Sequence, residues 1–201
     1  MSSALLQFLN QFRCKPGESV SGKRTHYSIA NPKGSYSIPP DQLAVFRTHY
    51  RNTIIRQKKT MHLVEANQDC TPIKIDLDFH YNLDDDVVKK GNTRIYTKKN
   101  IEEFLKLYMN TMEEYLISFQ PDERLCIIME KEAPVKNTKM GPNAWKDGLH
   151  FIFPKIVCHH SLQHLFRKNV LKQMWSCFPR GVFSNKWEDI LDSHVIRSRG
   201  W

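Results

Sequence analysis

Alternating hydrophobic and polar residues predict β-strands in the C-terminal two thirds of the chain. In Pro72–Tyr81 and in Gly148–Pro154 every second residue is a large apolar one, which is the pattern of a strand with one buried face. The hydrophobic run Leu125–Met129 predicts a third, shorter strand. A last strand is expected to begin near Val195.

Two longer segments between these strands carry apolar residues at helical spacing. The first is Lys98–Phe119, and the second begins at Ser161, which we expect to be its N-cap. The apolar face of the second helix consists of Leu162, Leu165, Phe166, Val170, Leu171, Met174 and Phe178. Asn82–Gly91 and Lys131–Asp147 are polar and predict loops.

The predicted order of elements is strand, helix, strand, strand, helix, strand. This is the βαββαβ order of ferredoxin-like and RNA-recognition (RRM) folds, so the fold class is α+β. Right-handed crossovers place both helices on one face of the sheet and leave the other face open to a ligand. In this topology the third and fourth strands lie on either side of the first.

Residues 1–65 predict a separate N-terminal α/β appendage, and residues 66–201 a core domain. The appendage is expected to begin with a helix over Ser3–Phe12. A hairpin around Asn31–Gly34 follows, then a helix over Gln42–Gln57 with Asp41 as its N-cap, and a strand over Met61–Glu65.

The charge of the chain points to a polyanionic partner. The 201 residues carry a formal net charge of +9, which suits nucleic acid or nucleotide phosphates, although a basic surface without such a role is the alternative. The five cysteines are odd in number and scattered, which is typical of reduced thiols in an intracellular protein. We expect no membrane association and no secretion, since the chain has no long apolar stretch and no signal sequence.

The first core strand carries two acidic residues in an otherwise apolar pattern. Asp76 and Asp78 alternate with Ile75, Leu77 and Phe79, so both carboxylates point to the open face. Aspartate is rare in strands, and two adjacent carboxylates repel each other unless a cation lies between them. A divalent ion such as Mg²⁺ would offset this cost. The alternative is a solvated edge without a ligand.

Further polar residues are expected on the same face. His150 lies between core-facing residues of the neighbouring strand, and Asp192 precedes the strand predicted on the other flank. Arg197 and Arg199 are suited to phosphate. Each of these residues also has a simpler interpretation when it is considered alone. His150 would be a structural histidine, Asp192 a turn residue, and the two arginines part of a solvated basic tail.

Three acids and one histidine on one sheet face suit two-metal phosphoryl transfer, in which carboxylates hold the ions beside a triphosphate. The basic loop that borders the His150 strand would add contacts to template or triphosphate, unless it is only a solvated mobile loop. Its cationic residues are Lys131, Lys136, Lys139 and Lys146.

Three short motifs resemble those of the archaeo-eukaryotic primase superfamily. They are Ile-Asp-Leu-Asp-Phe around Asp76, Gly-Leu-His-Phe-Ile-Phe-Pro around His150, and Ile-Leu-Asp ending at Asp192. The chain is most similar to the N-terminal primase domain of primase–helicases of large nucleocytoplasmic DNA viruses. The segment Lys33–Pro39 and the helix after it are similar to the lead-in of those proteins.

The resemblance implies a viral DNA primase. Asp76, Asp78 and Asp192 would bind two divalent ions, Mg²⁺ or Mn²⁺, and His150 would contact nucleotide phosphates, with Lys146, Arg197 and Arg199 as further phosphate ligands. The implied partners are single-stranded DNA, nucleoside triphosphates and a helicase domain or subunit, in the host cytoplasm or at the viral replication site. Because the relatives continue further, we expect a core truncated at its C-terminus.

Two other functions share these features. An RNA-recognition module stacks bases on strand aromatics, but here Phe79 and Phe151 are expected in the core. A two-metal nuclease would use the same acids, whereas a rolling-circle endonuclease needs a second histidine beside His150.

We do not expect zinc, because the spacing of Cys158, His159, His160 and His164 fits no common zinc module. Asp84–Asp86 predicts a solvated loop.

Overall fold

A computed structural model describes residues 4–15, 24–30, 33–66, 68–89, 91, 93–116 and 120–197. Among them, residues up to 68 form one compact unit and residues from 69 onward form a second. The mixed helix and strand content confirms the predicted α+β class. No helix in the described part of the chain is long and apolar enough to cross a membrane.

The first unit is a small three-stranded antiparallel sheet with two helices. Its strands are β1 (His26–Ser28), β2 (Gly34–Tyr36) and β3 (Leu63–Glu65), in the order β2-β1-β3. Helix α1 (Ala4–Gln11) buries Leu5, Phe8 and Leu9 at helical spacing. They pack with Tyr36, Ile38 and Phe46 into one hydrophobic core.

Helix α2 departs from its prediction at both ends. Pro40–Gln42 forms a 3₁₀ turn with Pro39 at the N-cap position, so the expected Asp41 cap is wrong. The α-helix covers Leu43–Arg51, and Asn52–Arg56 continues it as a π-helix. Proline suits the first turn because it has no N–H to leave unsatisfied there. The predicted turn over 31–34 lies partly outside the described residues.

A histidine in the core of the first unit makes its stability depend on pH. His26 is 7% exposed, and its ring centroid lies 4.7 Å from that of Phe46. Burial lowers its pKa below the ordinary 6.5, although the charge of Glu65 opposes the shift. The unfolded chain therefore binds a proton that the folded unit excludes, and folding is disfavoured at low pH.

We expect the urea midpoint of unfolding to fall as the pH drops below about 6.5 and to level off below the pKa of folded His26. His26→Asn should weaken this slope, whereas His62→Asn, at an exposed histidine of the same unit, should preserve it. Unfolding followed from pH 7.5 to 5 tests this. An equal slope in wild type and His26→Asn would contradict it.

The second unit is built on two long antiparallel strands. Strands β4 (Cys70–Asn82) and β7 (Ala144–His159) pair along their length, with β5 (Ile127–Glu130) on the other side of β7. The short β6 (Val135–Lys136) also pairs with β7. The first and third predicted strands are therefore neighbours, as expected, and the second lies beside the third.

Both long helices pack on one face of this sheet. Helix α4 (Lys98–Glu113) begins with a capping box at Thr97, and helix α5 (His160–Leu171) is capped by His159 and not by Ser161. Phe104 of α4 and Phe166 of α5 are fully buried with Phe151 of β7. These helices cover the face that holds the apolar residues of β4, so the acidic residues lie on the opposite face.

The prediction of a fourth strand in the βαββαβ core is wrong. His194–Arg197 is a one-turn helix, α7, where the last strand was expected. The edge of β4 is covered instead by residues 183–191, which contain helix α6 (Trp187–Ile190) and make isolated bridges from Phe183 to Tyr81 and from Leu191 to Leu77. The segment occupies the fourth position without forming a ladder.

Two loop predictions also need correction. The acidic segment 82–91 contains a short helix, α3 (Asp85–Lys89), and the C-terminal part of the loop 131–147 belongs to β7. Strand β7 also continues past Pro154, because the register with β4 shifts between Pro72 and Ile73. A bulge tolerates proline, which cannot donate to a ladder.

Candidate metal centre on the open sheet face

The register of β4 against β7 brings the predicted polar residues together. Asp76 pairs with His150, and Asp78 pairs with Gly148. Leu77 between them is fully buried in the helix-backed core, while both aspartate side chains keep partial exposure. Alternation along the strand therefore places the two carboxylates and the imidazole on the open face, as predicted.

Gly148 sets the close approach of the two strands beside Asp78. A Cβ atom at this position would lie 2.8 Å from the carbonyl oxygen of Leu77 and 3.3 Å from Asp78 Oδ1. The first distance is too short for carbon against a backbone oxygen, so any side chain here would force the strands apart. Glycine thus keeps the carboxylate of Asp78 against the backbone of β7.

Asp192 enters from the opposite flank of β4. Its backbone N–H donates to the carbonyl of Asp76 at 3.0 Å, and Arg167 Nε donates to the carbonyl of Leu191 at 2.7 Å. The backbone N–H of His194 donates to Asp192 Oδ1 at 2.9 Å, and its ring Nδ1 lies 2.6 Å from the same oxygen. The aspartate was expected on this flank, and its position is held by these bonds and not by a fourth strand.

The three aspartates converge. One carboxylate oxygen from each of Asp76, Asp78 and Asp192 lies within 4.8 Å of the other two. Asp76 Oδ1 is buried and accepts no hydrogen bond of acceptable geometry from the described residues. His150 Nε2 lies 3.2 Å from that oxygen, with the imidazole 45% exposed. An unsatisfied buried carboxylate oxygen is costly, and a bound cation would remove the cost.

The donor set fits a hard divalent cation. All three groups offer oxygen, which Mg²⁺ and Mn²⁺ prefer. Oxygens on one Mg²⁺ lie roughly 3 Å apart at its ordinary bond length of about 2.1 Å. The observed spacing within 4.8 Å needs only a small inward movement of carboxylates that repel each other without an ion.

A lysine balances part of this negative charge. Lys146 Nζ lies 3.1 Å from both oxygens of Asp78, with each side chain about a third exposed. Lys146 was predicted as a phosphate ligand, and it lies beside one of the three converging aspartates. Arg197 ends α7, and Arg199 lies outside the described residues.

Sequence reasoning missed several residues of this face. Lys74, 8% exposed, and His80 continue the row of Asp76 and Asp78 along β4, and the same alternation would have found them. Burial lowers the pKa of His80, and the positive charge of Lys146 lowers it further. Asn185 donates to the carbonyl of Asp78 and accepts from the N–H of His80, and no local pattern signals that role.

The open face does not offer the base-stacking surface of an RNA-recognition module. Phe79 of the first core strand and Phe151 of the third, which were considered for base stacking, are fully buried against the helices. The neighbours of these two residues that point to the open face include Asp78, His80 and His150, and none of them is a phenylalanine, tyrosine or tryptophan. This arrangement suits metal-dependent chemistry better than base stacking.

The sequence of the chain matches one protein family and is similar to two viral proteins. The sequence profile of the family described as "C962R protein N-terminal AEP domain" matches residues 25–201. The chain is similar to "Putative helicase L207/L206" of Acanthamoeba polyphaga mimivirus, with 30% identity over 199 residues, covering 98% of this chain and 20% of that protein. It is also similar to "Putative helicase 184R" of Invertebrate iridescent virus 6, with 19% identity over 147 residues, covering 70% of this chain and 15% of that protein. The chain thus spans a fifth or less of these two relatives.

Proposed function

The chain belongs to the family of C962R protein N-terminal AEP domains, that is, of archaeo-eukaryotic primase domains, and on this premise we propose that it synthesises primers in viral DNA replication. The substrates are nucleoside triphosphates, and the template is single-stranded DNA. The observation that carries the proposal is the convergence of Asp76, Asp78 and Asp192 on the open face of the sheet.

The three carboxylates would hold two Mg²⁺ or Mn²⁺ ions. Held there, such ions would supply the positive charge that makes an attacking hydroxyl more acidic and offsets the charge of a triphosphate. The chain fixes the ligands before substrate arrives, because Asp76 and Asp78 lie on a paired strand and the backbone of Asp192 is bonded to that of Asp76. Ligands fixed in this way would hold the cations where negative charge develops in the transition state, without further rearrangement.

His150 and Lys146 flank the carboxylates and would bind phosphate. His150 is nearly half exposed beside Asp76, so its imidazole can donate to a triphosphate oxygen. Lys146 pairs with Asp78, and a cation at that aspartate would release the ammonium group toward the substrate. The exposed Lys131, Lys136 and Lys139 extend the positive charge along the adjoining loop toward the template.

A helicase is the natural partner of this domain. Both viral relatives carry the word helicase in their names and are about five times as long as this chain. We therefore propose that the domain works beside a helicase domain or subunit that opens the duplex. The site of action would be the host cytoplasm or the viral replication site.

The deciding experiment measures synthesis and cleavage in one reaction. The protein is incubated with single-stranded DNA labelled at its end, nucleoside triphosphates carrying a second label, and Mg²⁺ or Mn²⁺, without a primer. New strands carrying the nucleotide label would support the proposal. Shortened template without incorporation would establish the nuclease alternative, and neither product would overturn primer synthesis by this chain.

Binding of single-stranded DNA should be strongly salt-dependent, because Lys and Arg release counterions from phosphates. We expect affinity to fall at least about tenfold between 50 and 200 mM salt. Lys136→Ala/Lys139→Ala should lower the slope of log K against log salt by up to about one per lysine. Fluorescence anisotropy at several salt concentrations measures both effects.

The matched control is Lys98→Ala/Lys99→Ala. It removes the same charge from α4, where both lysines are largely exposed and face Glu102 and Glu103. An unchanged slope is expected for this variant. A flat salt response of the wild type, or equal slopes in the two double variants, would show that the loop does not contact phosphate.

A further inference from the structure

We propose that Asp69, His159 and His160 form a second metal site, chemically different from the carboxylate centre, that binds a transition-metal ion of the Zn²⁺ class. One ligand atom from each residue lies within 4.8 Å of the other two. The three residues lie where β4 begins and β7 passes into α5. The proposal does not depend on primase activity.

Backbone pairing holds the cluster together. Cys70, the residue after Asp69, is the register partner of His159. The backbone N–H of His160 donates to the carbonyl of Asp69 at 2.9 Å, and the centroids of the two imidazole rings lie 4.0 Å apart. Residues about ninety positions apart in the chain are thus fixed by the sheet, and only side-chain rotations separate them from a closed site.

The hydrogen bonds of His160 prepare it as a ligand. Its Nδ1 lies 3.3 Å from the carbonyl oxygen of Asp69, and a carbonyl can only accept, so Nδ1 carries the proton. The lone pair of Nε2 is then available, in the arrangement by which proteins orient metal-binding histidines. His159 Nδ1 accepts the N–H of Ser161 at 3.2 Å as the N-cap of α5. Metal binding by His159 therefore competes with, or reorganises, the first turn of that helix.

The ligand chemistry separates this site from the carboxylate centre. Two imidazole nitrogens and one carboxylate suit Zn²⁺, Co²⁺ or Ni²⁺, while three carboxylates suit Mg²⁺ or Mn²⁺. Ligands on tetrahedral zinc lie roughly 3.4 Å apart, given bond lengths of about 2.0–2.1 Å. The distances between the three ligand atoms would need to shorten by about an ångström. A water molecule would be the fourth ligand of the ion.

No zinc site was predicted from the sequence, and the cluster differs from the four residues that were considered for one and set aside. Cys158 neighbours His159 but is buried on the other side of the strand. It therefore points away from the cluster of Asp69, His159 and His160. The third ligand is Asp69, far away in the sequence, so no short motif contains the site.

A bound ion would join the start of β4 to the start of α5. Since the unfolded chain does not hold these groups together, binding should stabilise the folded unit. At a free Zn²⁺ concentration about a hundred times the Kd, we expect the melting temperature to rise by roughly 5–10 °C.

The test is calorimetric titration of Zn²⁺ into the 201-residue chain carrying Asp76→Asn and Asp78→Asn, which removes the carboxylate centre. We expect one bound ion with a Kd on the order of micromolar. Adding Asp69→Asn, His159→Asn or His160→Asn should weaken binding at least about tenfold. Asparagine at position 159 keeps a side chain that can cap α5, so loss of binding there is not loss of the helix.

The control is His62→Asn, which removes an exposed imidazole from the other unit and should leave the Kd unchanged. Co²⁺ gives a second readout, since a four-coordinate nitrogen–oxygen site absorbs visible light more strongly than an octahedral oxygen site. The proposal is overturned if the background chain binds no Zn²⁺, or if the three ligand variants bind it as tightly as the background does. Equal weakening by His62→Asn would likewise show non-specific binding to surface histidines.

Discussion

Replacing either aspartate of the first core strand should abolish nucleotide incorporation without unfolding the protein. Asp76→Asn and Asp78→Asn each remove a negatively charged, proposed metal ligand while keeping the size and shape of the side chain. We expect the rate of primer synthesis to fall at least about a hundredfold, which is the scale of losing one preorganised electrostatic contact in a reaction centre. The melting temperature should stay the same or rise, since mutual repulsion of the carboxylates is relieved.

The control for this prediction is Asp84→Asn. Asp84 is exposed, and its carbonyl accepts the N–H groups of Val87 and Val88 at the start of α3, so the change removes one charge outside the metal centre. Incorporation of labelled nucleotide on single-stranded DNA should remain within about twofold of wild type, because a charge change outside the centre leaves the preorganised ligands in place. Near-normal synthesis by Asp76→Asn or Asp78→Asn would contradict the metal assignment.

The largest loss of stability should come from Arg94→Ala. Asp147 on β7 is fully buried, and Arg94 Nε donates to its Oδ2 at 2.9 Å. The guanidinium also reaches Glu130 at 3.0 Å and the carbonyl of Lys131 at 2.6 Å. The remaining oxygen of Asp147 accepts the N–H of Gly148 at 2.9 Å. Removing Arg94 therefore takes the charged partner away from a buried carboxylate that keeps the N–H of Gly148 as a donor.

We expect Arg94→Ala to lower the free energy of unfolding by about 2–4 kcal/mol, because breaking a buried pair strands a charge away from water. Lys98→Ala, which breaks an exposed pair with Glu102, should cost less than about 0.5 kcal/mol. Urea unfolding followed by circular dichroism compares the two. A similarly small loss in the free energy of unfolding for both variants would mean that water reaches Asp147.

The alternation of β4 and of the His150 strand was enough to predict which polar residues share the open face of the sheet. Each apolar residue facing the core fixes the direction of its polar neighbours, so Asp76, Asp78 and His150 followed from period-two spacing. Their pairing required only that the first and third strands be adjacent, which the βαββαβ order implies. The local signals of strands and long helices were therefore enough to predict the candidate metal centre.

The parts that sequence reasoning missed depend on contacts between distant segments. The last strand was predicted at Val195, but Asp192 accepts the N–H of His194, a local bond typical of turns that diverts the chain into α7. The proline at 154 suggested a strand end, whereas a bulge carries β7 on to His159. That extension brings His159 and His160 to Asp69, and neither the bulge nor the cluster has a short-range signature.

The most direct test of the metal centre is a crystal structure of the protein with Mn²⁺ and a nucleoside triphosphate, with anomalous scattering recorded at the manganese edge. We expect manganese peaks within about 2.2 Å of carboxylate oxygens of Asp76, Asp78 and Asp192. The triphosphate should be bound beside them, within hydrogen-bond reach of His150. A manganese ion bound only elsewhere, or a triphosphate bound away from the open face of β4 and β7, would contradict this expectation.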